Sequence, residues 1–471
     1  LKKGILPICD SNPILKWLCL YSFIVCISSW IHYFTTNSLK VDANSIEPFS
    51  LRFFIFFVIA FCWTKLCLAL CEFFSSENIV ISNKTLRKNL YLCVAIQGLT
   101  LPLFSNDVFS VMGYSQAHTN GINIYTAFDA NLTDFAEYIN PLYQKLNCKY
   151  GPLSILQTSV PFFQKEISIF QWLGLTKLIY VIHGVFFLEV SLRLISVISS
   201  QYKYLLVLYP LWLVQGIGQF HNDIFGMSWI ILGLLMMYKS RPLFSSVFFS
   251  LAVLSKITFG FFALIPLLYW AQSFKVNRTY ILQFLVFFVI SLTLLGYLIY
   301  WPFQISIFDI ISPIKALNTE RPSSTFSDLG AYFLLLFNSD FEENFSLTIP
   351  IFRYVGISIL LVLFFMYWRV RDRKDSYLSF LLLSFTTIFL FVLHRFLPWY
   401  LMGVPFLFLF KHPQKYWFQW LIVITWISIF QDYAIMLDTG NLFGQILMAM
   451  STVLTVLSFF YLMPKRLSIL K

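Results

Sequence analysis

Asp107 stands in the run Ser105-Asn106-Asp107-Val108-Phe109-Ser110-Val111-Met112-Gly113-Tyr114, which follows an apolar stretch and opens the first long polar segment of the chain. Read as a helix, this run puts Asp107, Ser110, Tyr114 and His118 on one face, at spacings of three, four and seven residues. Ser105 or Asn106 can cap the helix by accepting a backbone N–H. A carboxylate in such a first turn has two readings. It can be a plain capping acid held by the helix dipole, or a base that takes a proton from an incoming hydroxyl.

Other groups decide what Asp107 has to work with. His221-Asn222-Asp223 puts three polar side chains between apolar stretches, which is costly unless they face water or a ligand. His394-Arg395 leads into Pro398-Trp399-Tyr400. An arginine can hold a phosphate through paired charge-assisted bonds, and a Trp-Tyr pair suits the bilayer interface where a lipid headgroup lies. Lys256 sits inside an apolar stretch, either snorkelling to an interface or reaching an anion. Tyr150-Gly151-Pro152 marks a turn before another apolar run. Together these residues suit a hydroxyl attacking a sugar carried on a lipid phosphate. Asn106 occupies the place where a second acid would complete a metal-binding carboxylate pair, so a metal-independent reaction without cofactor is expected.

These groups need a scaffold, and composition says which. Hydrophobic residues make up 58% of the 471 positions and charged residues 12%, a balance outside the range of soluble domains. The apolar blocks are long enough to cross a bilayer, which predicts an all-α polytopic membrane protein forming one integral domain over residues 1–471. Basic residues cluster in short loops, so the net charge of +11 reflects positive-inside bias rather than nucleic-acid binding. That bias predicts about fourteen crossings, with both termini cytoplasmic. Two long outer loops follow, at 105–168 and 304–348, and the first suits interfacial helices. The same count puts Asn106-Asp107, His221-Asn222-Asp223 and His394-Arg395 on one non-cytoplasmic face, so a single pocket could collect them. The apolar stretch 243–270 is long for one helix, and a break near Ser255-Lys256 preserves the loop charges better. Of the eight cysteines only Cys148 lies in a polar loop, and no zinc-like spacing occurs.

In order and spacing, from about residue 90 onward, the chain resembles the GT-C superfamily of membrane glycosyltransferases, especially bacterial polyprenyl-phosphate-mannose-dependent mannosyltransferases. The residues that carry the resemblance are Asn106-Asp107-Val108-Phe109-Ser110, Gly121-Ile122-Asn123-Ile124-Tyr125, Tyr150-Gly151-Pro152, His221-Asn222-Asp223 and Arg395 with Pro398-Trp399-Tyr400. Ile124 departs from the proline common before that tyrosine. The resemblance implies a polyprenyl-phosphate sugar donor, inverting transfer at the outer face of the cell membrane, and a catalytic aspartate mapping onto Asp107. It makes mannose the expected sugar and a glycan or lipid-linked molecule the expected acceptor. On this reading Arg395 and Lys256 bind the donor phosphate. Asn106, Tyr114, His118, Tyr150, His221, Asn222, Asp223, His394, Trp399 and Tyr400 line the substrate site. Two alternatives share the many spans: a transporter or lipid flippase, and a ligase or polymerase using a diphosphate-linked glycan.

Overall fold

The structure is a computed structural model. It describes residues 12–36, 49–75, 81–103, 107–139, 144–163, 167–198, 200–271, 274–300, 326–334, 341–370, 376–388, 398–409, 415–436, 446, 449–455 and 457–458. It is 86% helical, with no strand among the described residues, as the apolar blocks predict.

The chain opens with three helices, α1 (Pro13–Thr36), α2 (Phe49–Ser75) and α3 (Asn83–Gly98). They pack on one another through residues such as Leu18, Trp63, Leu66 and Leu90, all buried. The third helix stops at Gly98, short of the run that leads to Asp107. Beyond it the backbone is strapped sideways: Trp30 Nε1 donates to the Leu99 carbonyl at 2.9 Å and Leu101 N donates to Ser29 Oγ at 3.0 Å. These side-chain bonds replace the helical ladder where it ends.

Next come α4 (Asp107–Thr119), two short 3₁₀ turns, and α5 (Pro152–Ser159), which has proline in its first turn, where a missing N–H costs nothing. A 29-residue helix, α6 (Ile169–Val197), starts at a reciprocal capping box between Ser168 and Gln171. The apolar stretch 204–218 is irregular. It holds a single helical turn, α7 (Leu205–Leu208), then Pro210, then a π-helical turn at Trp212–Gly218. Proline denies the ladder a donor, which accounts for the break. After it run α8 (Asp223–Tyr238) and α9 (Pro242–Ser255). Lys256 is extended (φ −161°), and a 3₁₀ segment (Ile257–Ala263) leads into α10 (Leu264–Ala271). The expected break at Ser255-Lys256 is thus present. The long helix α11 (Phe274–Tyr300) packs on α9, and the helix Phe341–Val370 follows further along.

Five helical stretches are long and apolar enough to cross a membrane, and four shorter apolar helices accompany them among the described residues. These helices mark a membrane protein. Fourteen crossings exceed what the described residues display.

Candidate active site

Asp107 is the first residue of α4, with its carboxylate at the positive end of the helix dipole. Tyr150 Oη donates to Asp107 Oδ2 at 3.2 Å, and His221 Nδ1 lies 4.0 Å from the same oxygen. Two clusters more than a hundred residues apart in sequence therefore meet. The Asp107 side chain keeps 17% of its surface exposed while His221 keeps 2%, so the carboxylate is the group of this pair that an incoming molecule can reach.

Each neighbour of Asp107 is fixed for an identifiable reason. Tyr150 precedes Gly151, whose N–H donates to the Ser255 carbonyl at 3.0 Å. A Cβ at Gly151 would collide with the Leu254 carbonyl oxygen and lie 2.7 Å from the Ser255 carbonyl carbon. Only glycine allows this approach to the end of α9. Ser154 Oγ adds a bond to the same Ser255 carbonyl at 2.8 Å, and Tyr125 Oη donates to the Tyr150 carbonyl at 3.1 Å. The backbone at Tyr150 is thus held on both sides, and burial together with the nearby Asp107 charge pushes its hydroxyl well above the usual tyrosine range. It stays protonated and donates.

His221 lies between the π-helical turn and α8. Burial pulls its imidazole down to about 3, against the opposing influence of Asp107. It is neutral at physiological pH and serves as a polar wall, not as a cation. Asn222 accepts a bond from Tyr180 Oη, and its Nδ2 is buried without a hydrogen-bond partner in the structure. Asp223 takes both of its oxygens to Lys256 Nζ, at 3.0 and 2.9 Å, in a pair with 4% and 5% of the side chains exposed. The break after α9 is what lets Lys256 reach it.

A lysine that sequence reading passes over organises this wall. Lys177, buried within α6, donates to the Ile217 and Gly218 carbonyls, each at 2.8 Å, and stands 3.6 Å from the centre of the Phe220 ring. Its donors satisfy the carbonyl end of the π-helical turn and support Phe220 at φ 58°, a left-handed conformation that costs a bulky residue free energy. Gln219 Oε1 accepts from Leu103 N at 2.7 Å and so ties the same turn to the chain just ahead of Asp107. The available signal was a charge in the middle of an apolar helix, which calls for a stated partner.

The remaining expected residues fall differently. Tyr114 is buried, its hydroxyl donating to the Leu146 carbonyl at 2.8 Å and its ring 6.4 Å from that of Tyr150. It props Tyr150 from behind. His118 lies eleven residues along α4 from Asp107, about 16 Å by helical rise. It is buried there and pulled down to about 4 by that burial, and it is not beside the carboxylate. Asn106, His394 and Arg395 lie outside the described residues, as do the side chains of Trp399 and Tyr400, which stand in the 3₁₀ segment Pro398–Phe408. Cys148 is buried and unbridged. Among the described residues no three His, Cys, Asp or Glu side chains are grouped to share a metal ion.

This arrangement, a reachable carboxylate at a helix start backed by a tyrosine, a neutral imidazole and a buried ion pair, lies within one matched stretch. Residues 21–272 match the family described as alpha-(1->6)-mannopyranosyltransferase, N-terminal domain. The chain belongs to that family. The match covers more than half of the 471 residues and ends just before α11. It makes the protein a mannosyltransferase, in keeping with the GT-C-like resemblance. No curated protein and no solved structure matches the chain. Asp107, Tyr150, His221, Asp223 and Lys256 all fall inside the family stretch, and Arg395 falls beyond it.

Proposed function

We propose that this mannosyltransferase moves mannose from a polyprenyl-phosphate donor to an acceptor hydroxyl, with inversion, at the non-cytoplasmic face of the cell membrane. Asp107 is the general base. It takes the proton of the acceptor hydroxyl as that oxygen attacks the sugar C1, while the bond from C1 to the phosphate oxygen breaks and its electrons leave with the phosphate. An α linkage formed by inversion requires a donor of β configuration. The family's alpha-(1->6) description makes the attacked group on the acceptor a primary 6-hydroxyl.

The observation that supports this reading is the position of the Asp107 carboxylate. It is partly exposed, at a helix N-terminus, with Tyr150 and His221 against one oxygen. The Tyr150 hydrogen bond orients it, and a neutral His221 adds no positive charge that would weaken it as a base. Arg395 holds the donor phosphate on this reading. Lys256 contributes its charge while two of its three N–H donors lie on Asp223. Trp399 and Tyr400 meet the headgroup region, and membrane lipid surrounds the rest.

The test is transfer by the purified full chain in proteoliposomes, offered polyprenyl-phosphate mannose or a nucleotide-linked mannose. Transfer from the lipid donor alone, with an α product, is the expected result. Transfer from the nucleotide donor alone would overturn the donor assignment.

A further inference from the structure

A third buried lysine, after Lys177 and Lys256, lies against Tyr150. Lys149 immediately precedes Tyr150 and is only 9% exposed, with Nζ 5.6 Å from the centre of the Tyr150 ring. The same ring carries the hydroxyl that donates to Asp107. The Lys149 backbone is fixed on both sides: Cys148 N donates to the Ile124 carbonyl at 2.9 Å, and the Tyr150 carbonyl accepts from Tyr125 Oη at 3.1 Å. Its charge also reaches His221, where it is one of the influences that keep the imidazole neutral. Lys149 and Asp107 therefore both lie against Tyr150, and His221 lies against Asp107.

Charge bookkeeping across the reaction gives this lysine a task. Asp223 offsets most of the Lys256 charge. A mannosyl phosphodiester carries one negative charge, and the phosphate monoester that departs carries about one more. That charge develops on the leaving oxygen as the bond to C1 breaks. A cation fixed there in advance stabilises the transition state more than the bound donor.

Building on the donor assignment proposed above, we infer that Lys149 is a ligand of the donor phosphate, its ammonium receiving the phosphate oxygen that leaves the sugar. The phosphate sits on the Lys149 side of Tyr150 and the acceptor hydroxyl on the Asp107 side. The sugar C1 is then held between base and leaving group, as in-line displacement requires. Lys149 lies in the loop 105–168 and within the family stretch, so this cation needs nothing from the chain beyond residue 272.

The test compares wild type, Lys149→Gln and Lys149→Arg in proteoliposomes, reading KM for polyprenyl-phosphate mannose and inhibition by polyprenyl phosphate. A charge-assisted bond predicts that Lys149→Gln weakens both by about tenfold or more, and that Lys149→Arg restores most of the loss. A folded Lys149→Gln protein with wild-type KM and wild-type product inhibition overturns the inference and leaves the donor assignment standing. A wild-type protein inert toward the lipid donor overturns both. Reductive methylation of Lys149 in the wild-type chain, followed by mass spectrometry, does not depend on any variant folding. Polyprenyl phosphate is expected to slow it, and an unchanged rate contradicts the inference.

Discussion

Helices of similar apolar character are used in two ways along this chain. Up to residue 272, the three stretches able to cross a membrane have half of their most apolar windows buried against other helices. The two later stretches, Arg278–Ile299 and Ser346–Arg369, have 11% buried. The first group packs into a core that holds ionisable side chains: Lys177 inside α6, and Asp223 with Lys256 at the joint of α8 and α9. The later helices turn side chains such as Leu282, Val289 and Leu298 outward, where lipid tails replace protein contacts. Hydropathy decides whether a helix can cross. Its neighbours decide whether it builds a site, and the three membrane-length stretches that begin before residue 272 are the better packed of the five.

The sharpest test of that contrast is the buried ion pair. Lys256→Met leaves Asp223 charged and enclosed, a loss of about 3–5 kcal/mol. That is a large share of the total stability of a domain, so little folded protein should be recovered from detergent. The double change Lys256→Met with Asp223→Leu should restore much of the thermal midpoint. A single variant that melts like wild type would break the comparison.

Gly151→Ala comes next. Its Cβ meets the backbone at the end of α9, so overpacking costs about 1–3 kcal/mol. Displacing Tyr150 by about 1 Å should lower transfer by about a hundredfold. Gly174→Ala in α6, with nothing within 4 Å of the new Cβ, is the control and should change neither reading.

A smaller effect follows from two of the buried imidazoles, His118 and His221. His118 and His221 are lowered in the folded state from 6.5 to about 4 and about 3. The unfolded chain therefore binds protons first, and stability falls as pH drops from about 6.5 toward those values. Replacing either histidine with Gln should flatten the dependence of the thermal midpoint on pH between 7 and 4. An unchanged slope would mean that the site is more open than its packing implies.

The smallest effect belongs to the outward-facing helices. Leu298→Ala on α11, at a side chain 57% exposed, should shift stability by no more than about 0.5 kcal/mol and leave transfer intact. A collapse of activity there would show that the later helices also build the site.

The meeting of Asp107 with His221 was legible because loop charge assigned both clusters to one face, and the α4 helix because its polar residues repeat at helical spacing. The break at Lys256 was legible because a lysine inside an overlong apolar run needs an exit. Lys177 was not, since its partners are the backbone carbonyls of Ile217 and Gly218, which no side-chain pattern reveals. Nor was the π-helical turn, because Pro210 marks a break in the apolar run 204–218 without saying what geometry follows it. The Tyr150-Gly151-Pro152 turn was visible as a turn. Its use, aiming a phenol at Asp107, depends on an approach to α9 across a hundred residues of sequence. His118 shares the periodic face with Asp107, yet the helical rise carries it three turns away.

The central claim is that the Asp107 carboxylate removes the proton of the attacking hydroxyl. The most direct measurement is the single-turnover rate of mannosyl transfer by folded Asp107→Asn protein in proteoliposomes, which keeps the size of the side chain and removes its basicity. The account predicts a rate lower by about 10²–10⁴-fold with donor binding unchanged. A rate equal to that of the wild type would contradict it.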